Sequence, residues 1–217
     1  MSAEIKAMPN SPAELLGDAH PLLDQLGVPE DLVAAGVLPA TLAFARITDM
    51  SALHSFLDAY RAQILVPVEL PAIIAAHGHA SRGEVRELIT LDERLAHEPM
   101  LRPFAQASCR VGQRQLSKLR PMRDQRVVQR YLAALAEGKA HGWHTLVYGL
   151  TLAMFSLPLR QGLQNYVEQT MRGFLRGAAR PLHLTEAESA VLLAECFSTV
   201  PGTVREVLET RSLVRPV

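Results

Sequence analysis

The sequence predicts an all-α protein, a single-domain bundle of about ten helices. Two observations carry this. The chain is 48% hydrophobic but only 5% aromatic, and its apolar residues are mostly Leu, Ala and Val, a mix that suits helix-on-helix packing better than a sheet sandwich. Its apolar residues recur at helical spacing, with no sustained two-residue alternation and no Asn-Gly or Asp-Gly hairpin signal. At 217 residues the chain can bury a substantial core.

The elements follow in order. Ser11-Pro12-Ala13-Glu14 has the form of a capping box with proline in the first turn. Ser81-Arg82-Gly83-Glu84 and Thr185-Glu186-Ala187-Glu188 repeat the hydroxyl-x-x-carboxylate spacing. Val85, Leu88, Ile89 and Leu95 line one stripe, and Val128, Tyr131, Leu132 and Leu135 a second. The longest stripe runs from Leu159 through Leu163, Tyr166, Val167, Met171 and Phe174 to Leu175, opposite a polar face. Thr145 to Phe155 is apolar nearly all round, with Gly149 and Ala153 allowing close approach, so it should be the buried centre of the bundle. Pro67, Pro71, Pro121, Pro158 and Pro181 are expected to mark helix starts and stops. The ends, to about residue 7 and from about residue 211, are expected to fray.

Charge and motifs narrow the function. Lys+Arg and Asp+Glu are both 22, for a formal net charge of zero, so the basic excess of a nucleic-acid binder is missing. The one basic cluster, Arg110 to Arg126, has no interleaved aromatics for base stacking. It reads as a surface for an acidic partner or, more simply, as a solvated helix face and loop. Glycine-rich phosphate loops, a G-x-S-x-G elbow and H-E-x-x-H are absent. Cys109 and Cys196 form no zinc-type spacing and read as buried thiols. No secretory signal pattern opens the chain, and the apolar run near Leu146 to Phe155 is too short to span a bilayer, so a cytoplasmic location is expected.

Three groups invite chemistry. His141 and His144, three apart, could present two imidazoles on one helical face, but nothing nearby in sequence completes a metal site. His77 and His79 sit at the end of an apolar helix, where the dipole favours them. Asp92 and Glu93 read as solvated carboxylates on an amphipathic helix. Neither a metal nor a cofactor is expected.

Two stretches resemble the UreF family of urease accessory proteins. The first holds Leu91-Asp92-Glu93-Arg94-Leu95, Arg102, Ala107-Ser108 and Val111-Gly112-Gln113-Arg114-Gln115-Leu116. The second holds Gly138 to His144, Tyr148-Gly149, Ser156-Leu157-Pro158-Leu159 and, after the long helix, Ala178-Ala179-Arg180-Pro181-Leu182. A vaguer match covers Leu53, Phe56, Leu57 and Leu70-Pro71. Two regions depart from the family pattern: Val28 to Gly36, and His183-Leu184-Thr185-Glu186 after Arg180. The resemblance implies a flexible N-terminus over 1–10, a helical UreF-like domain over 11–198 and a partner-binding tail over 199–217. It implies a non-catalytic, cytoplasmic and dimeric adaptor that joins UreD (UreH) and the GTPase UreG to apo-urease for nickel insertion. Ser108, Gly112, Arg114, His141, His144 and Arg180 then become structural or interface positions, with Val200, Val204, Val207 and Leu208 as an apolar stripe on the tail. The alternatives are a repurposed interaction module with another partner, or a helical ligand-binding enzyme using His141, His144 and Tyr148.

Overall fold

Among the described residues, Asp49 starts the first helix, accepting from the Ala52 N–H at 2.8 Å. The computed structural model describes residues 47–179 and 182–213. Among these there is no strand, and seven α-helices follow one another. Helix α1 runs unbroken over Met50–Ser81, and α2 spans Val85–Ala96. After the 3-10 turn Pro99–Phe104 come α3 (Ala105–Lys118), α4 (Arg126–Ala136) and α5 (His144–Met154). Helices α6 (Leu159–Ala179) and α7 (Glu186–Leu213) complete them. About ten helices were expected of the whole chain; the capping box at Ser11, Arg180, Pro181 and the segment Val28–Gly36 lie outside the described residues.

Helix α5 is the axis of the fold. Every residue from His144 to Leu152 is buried, as its all-round apolar sequence requires. It packs chiefly on the Leu70–Ser81 part of α1 and on α3, while α6 carries α7. Gly149 makes the first contact possible: a Cβ there would lie 2.5 Å from the Ile73 carbonyl oxygen. Helix α5 then ends on Ser156 in the left-handed region at φ 52°, with the Leu157 N–H returning to the Leu152 carbonyl at 2.9 Å. The long stripe of α6 is buried from Leu163 to Leu175.

Two expectations about punctuation are corrected. Pro67 and Pro71 do not break α1. Residues Arg61–Glu69 adopt a π-helical register with Pro67 inside it, and the Leu70 N–H reaches back to the Leu65 carbonyl. The wider turn accommodates a ring that would clash with the carbonyl four residues earlier in an α-helix. Ser81 does not cap α2; its hydroxyl bonds the His77 carbonyl at 2.8 Å, and Glu84 turns to Arg82 and His79 instead. The Thr185–Glu188 box does form, with Glu188 accepting from the Thr185 N–H at 2.8 Å and donating its own N–H to the Thr185 hydroxyl at 3.2 Å. That contact holds the Glu188 carboxyl below its ordinary range.

Helix α1 is 32 residues long and apolar enough to cross a membrane by length and composition, a feature shared with core helices of packed bundles. Its inward face, including Leu53, Leu65, Leu70 and Ile73, lies in the core.

Helix α7 continues without interruption through Thr199. Val200, Val204 and Val207 are buried within the chain's own core, so the stripe expected to face a partner is filled internally. Leu208 is only half-buried.

The glycine contacts give a paired prediction. Gly112→Ala drives a Cβ into the Gly142 carbonyl oxygen and against the backbone of Trp143 and His144, and should cost about 2–3 kcal/mol or more by forced backbone shift. Gly202→Ala meets nothing within 4 Å inside α7 and should stabilise by about 0.5–1 kcal/mol. Urea denaturation of the two variants measures both.

Candidate functional site

Asp92 is the structural centre of the site. The expectation of a solvated carboxylate holds for exposed Glu93 but is wrong for Asp92, which is 0% exposed. It shares the inward face of α2 with Leu88, Leu91 and Leu95, because a helix places residues three and four apart on one side. Its carboxylate receives three consecutive backbone N–H groups from the segment before α5. His141 donates to Oδ2, Gly142 to both oxygens at 3.2 and 3.3 Å, and Trp143 to Oδ1 at 3.3 Å. The Tyr131 hydroxyl from α4 adds a fourth donor at 3.0 Å. A buried carboxylate is tolerated only when its lone pairs are so filled. Gly142 supplies the required turn at φ 75°.

Helix α3 closes over this clamp. The Ser108 hydroxyl accepts from the His144 N–H at 3.2 Å, serving the N-terminus of α5 in place of a side-chain cap. Gly112 lies against the backbone of 142–144. Gln113 donates to the His141 carbonyl at 2.8 Å.

The residues singled out from sequence therefore divide. Ser108, Gly112, His144 and Val204 are buried. Arg114 and His141 are exposed, with His141 Nε2 3.3 Å from Glu93 Oε2. His141 precedes α5, whose N-cap is Trp143. The two histidines thus share no helical face, and His144 points inward. Among the described residues no group of three or more His, Cys, Asp or Glu side chains has the geometry to hold a metal. Cys109 and Cys196 are free and half-buried; burial pushes the Cys109 thiol up to about 12.

A second polar group threads the core. Tyr60 donates to Glu69 at 2.6 Å across the π segment. Nine residues of α-helix are two and a half turns, which would set these side chains about 180° apart; the π register brings them together. Tyr166 also bonds Glu69, then meets Tyr148 and His144 edge-on or tilted at 5.2 and 5.9 Å between ring centroids. Burial raises the Glu69 carboxyl to about 7, against an opposing pull from the two tyrosine hydroxyls. Burial lowers His144 to about 4, and its Nδ1 has no partner. Sequence reading missed Tyr60, Glu69 and Tyr166 as a set because their spacing is invisible to a 3.6-residue period; proline within an apolar run was the available signal.

Two cavities are prominent. A groove of about 520 Å³ lies between α1 and the 3-10 turn, floored by Phe56, Tyr60, Ile64 and Phe104. A cleft of about 220 Å³ separates α1 from α7, where Arg61 bonds the Thr203 hydroxyl at 2.7 Å. Neither is lined by His141, His144 or Tyr148, the set that a helical enzyme was expected to use.

Helices, a buried carboxylate clamp serving backbone rather than ligand, and an inward-facing histidine define an all-α packed scaffold. The comparison with protein families makes this specific. Residues 47–197 match UreF, and the chain belongs to the UreF family of urease accessory proteins. This is an accessory family, not a catalytic one. No curated protein matches the chain.

The clamp and the core cluster yield two predictions. Asp92→Ala strands three buried N–H groups and should cost more than about 3 kcal/mol, whereas Tyr131→Phe should cost only about 1 kcal/mol; chemical denaturation separates them. The second concerns pH. Glu69 titrates near 7 when folded against an ordinary 4.5, so its contribution is full below 4.5 and is lost as pH rises through 7. His144 titrates near 4 against an ordinary 6.5, so its contribution is full above 6.5 and is lost as pH falls toward 4. The two oppose each other between 4.5 and 6.5. In Glu69→Gln the urea midpoint should rise steadily from pH 4 to 6.5 and then stay flat, while wild type declines from 6.5 to 7.

Proposed function

We propose that this chain is the adaptor of urease maturation that joins UreD (UreH) and the GTPase UreG to apo-urease, so that nickel is delivered to the active site. The observation that carries the reading is the family match, which spans α1 through the first part of α7, ending at residue 197. Its urease accessory role is a property of the family; the particular partners, the delivery of nickel, a homodimeric state and a cytoplasmic location are the reading advanced here.

The geometry supports action through surface. The chemistry-bearing residues at the resembling positions are largely consumed internally: Asp92 by backbone, Ser108 by the N-terminus of α5 and His144 by packing. What remains for a partner is the outer surface of the same region, where Arg114 is exposed and His141 is exposed beside Glu93. Half-buried Leu208 on α7 offers a second contact. Arg180 keeps its place as an interface position but lies outside the described residues.

The test is co-purification of the chain with its cognate UreD and UreG, followed by sizing of the complex. A stable complex containing both partners is expected, and the surface variant Arg114→Glu/His141→Glu should weaken it at least tenfold, about 1.4 kcal/mol, without lowering thermal stability. Folded wild-type chain that captures neither partner contradicts the reading and turns attention to a UreF-family module with another partner.

A further inference from the structure

The zero net charge conceals a strong asymmetry. Residues 105–136 contain seven Lys or Arg side chains and one acidic residue, Asp124, and so carry +6. The rest of the chain holds the other 15 basic and 21 acidic residues, −6.

The fold gathers those cations on one region. Arg110, Arg114 and Lys118 stand at i, i+4 and i+8 of α3 and all are exposed, a row about 12 Å long at 1.5 Å per residue. Arg120 and Arg123 are exposed on the turn that follows. Gln129 donates to the carbonyls of Arg120 and Met122 at 3.3 and 3.0 Å, which pins that turn against α4. On either side of Gln129, Arg126 and Arg130 are exposed one helical turn apart. The opposite faces of both helices are spent in the core, through Val111, Leu116, Val128 and Tyr131. Among the described residues Arg110, Lys118, Arg120, Arg123, Arg126 and Arg130 have no carboxylate within ion-pair distance. Asp124 is drawn off by Gln125 at 3.3 Å.

We infer that the outer face of α3, its following turn and α4 is a docking surface for an acidic helix of a partner protein, one that presents carboxylates at i, i+4 and i+8. Six of the seven cations are arginines, whose planar guanidinium groups take carboxylates in paired hydrogen bonds. A nucleic acid fits less well. The one aromatic residue of the segment, Tyr131, is 0% exposed and offers no ring for stacking. A long polyanion would also run off the basic face onto a body whose described residues are net acidic. A single acidic helix matches the length of the row, and the field would speed its encounter in a salt-dependent way. This surface goes beyond the accessory reading above and stands on its own charges, whichever protein supplies the helix.

The probe is a fluorescein-labelled, helix-forming 20-residue peptide with glutamates at i, i+4 and i+8, compared by anisotropy with a labelled 20-base-pair DNA duplex, using the full chain. The expected result is peptide binding that weakens at least tenfold between 50 and 300 mM NaCl. Arg110→Glu/Arg114→Glu/Lys118→Glu should lose at least tenfold in affinity, and the remote reversal Arg86→Glu/Arg205→Glu should stay within twofold of wild type. Should the triple reversal fail to fold by circular dichroism, the neutral Arg110→Gln/Arg114→Gln/Lys118→Gln replaces it, with the same direction expected. Absence of peptide binding at 50 mM NaCl, equal loss in the remote variant, or tighter binding of the duplex overturns the inference. Urease components do not enter, so its failure is distinct from a failure of the accessory reading.

Discussion

The carboxylate of Asp92 is the constraint on which the arrangement depends. Burying an ion without compensation is costly, and here compensation comes from three successive backbone N–H groups and a tyrosine hydroxyl. The three N–H groups belong to the segment that launches α5, so satisfying the charge fixes where the central helix begins. Once it begins there, Ser108 can cap it and α3 can approach to the distance only Gly112 allows. The same placement sets Gly149 against α1. One polar contact thereby registers α2, α3, α4 and α5 against one another.

The π segment of α1 is a second, separate constraint. Its register is held by a bond from Tyr60 to Glu69 that an α-helix could not make. It also stands between the groove and the cleft described above, with Tyr60 and Ile64 on the groove and Arg61 and Leu65 on the cleft beneath α7. Short π stretches recur where helices carry function. Here the segment joins a polar cluster in the core to both cavities.

Much of the fold was legible in the sequence. The stripes of α2, α4 and α6, the all-buried character of α5 and the cap at Thr185 follow from periodicity and capping chemistry and are found in the structure. What escaped was context. Asp92 and Glu93 are adjacent and chemically alike, and no local rule says that one enters the core while the other stays in water; that depends on a segment some fifty residues away. His141 and His144 have metal-ligand spacing, but the helix starts between them and separates their directions. Pro67 reads as a break because the rule assumes α-helical geometry. The stripe at Val200, Val204 and Val207 is real, and only tertiary structure reveals that α7 folds it back onto its own core.

The described residues divide between a packed interior and a charged exterior. Of the resembling residues, Ser108, Gly112, His144 and the carboxylate of Asp92 lie inside, whereas Glu93, Arg114 and His141 lie outside. The central claim is that the Asp92 clamp orders the launch of α5. Amide hydrogen exchange at Gly142 and Trp143, in wild type and in Asp92→Asn, tests it most directly. The account predicts protection in wild type close to that of α5 itself. It predicts a loss of about 100-fold in the variant, corresponding to about 2.8 kcal/mol, with α6 unchanged. Rapid exchange of both amides in the wild-type protein, or equal protection in the variant, would contradict it.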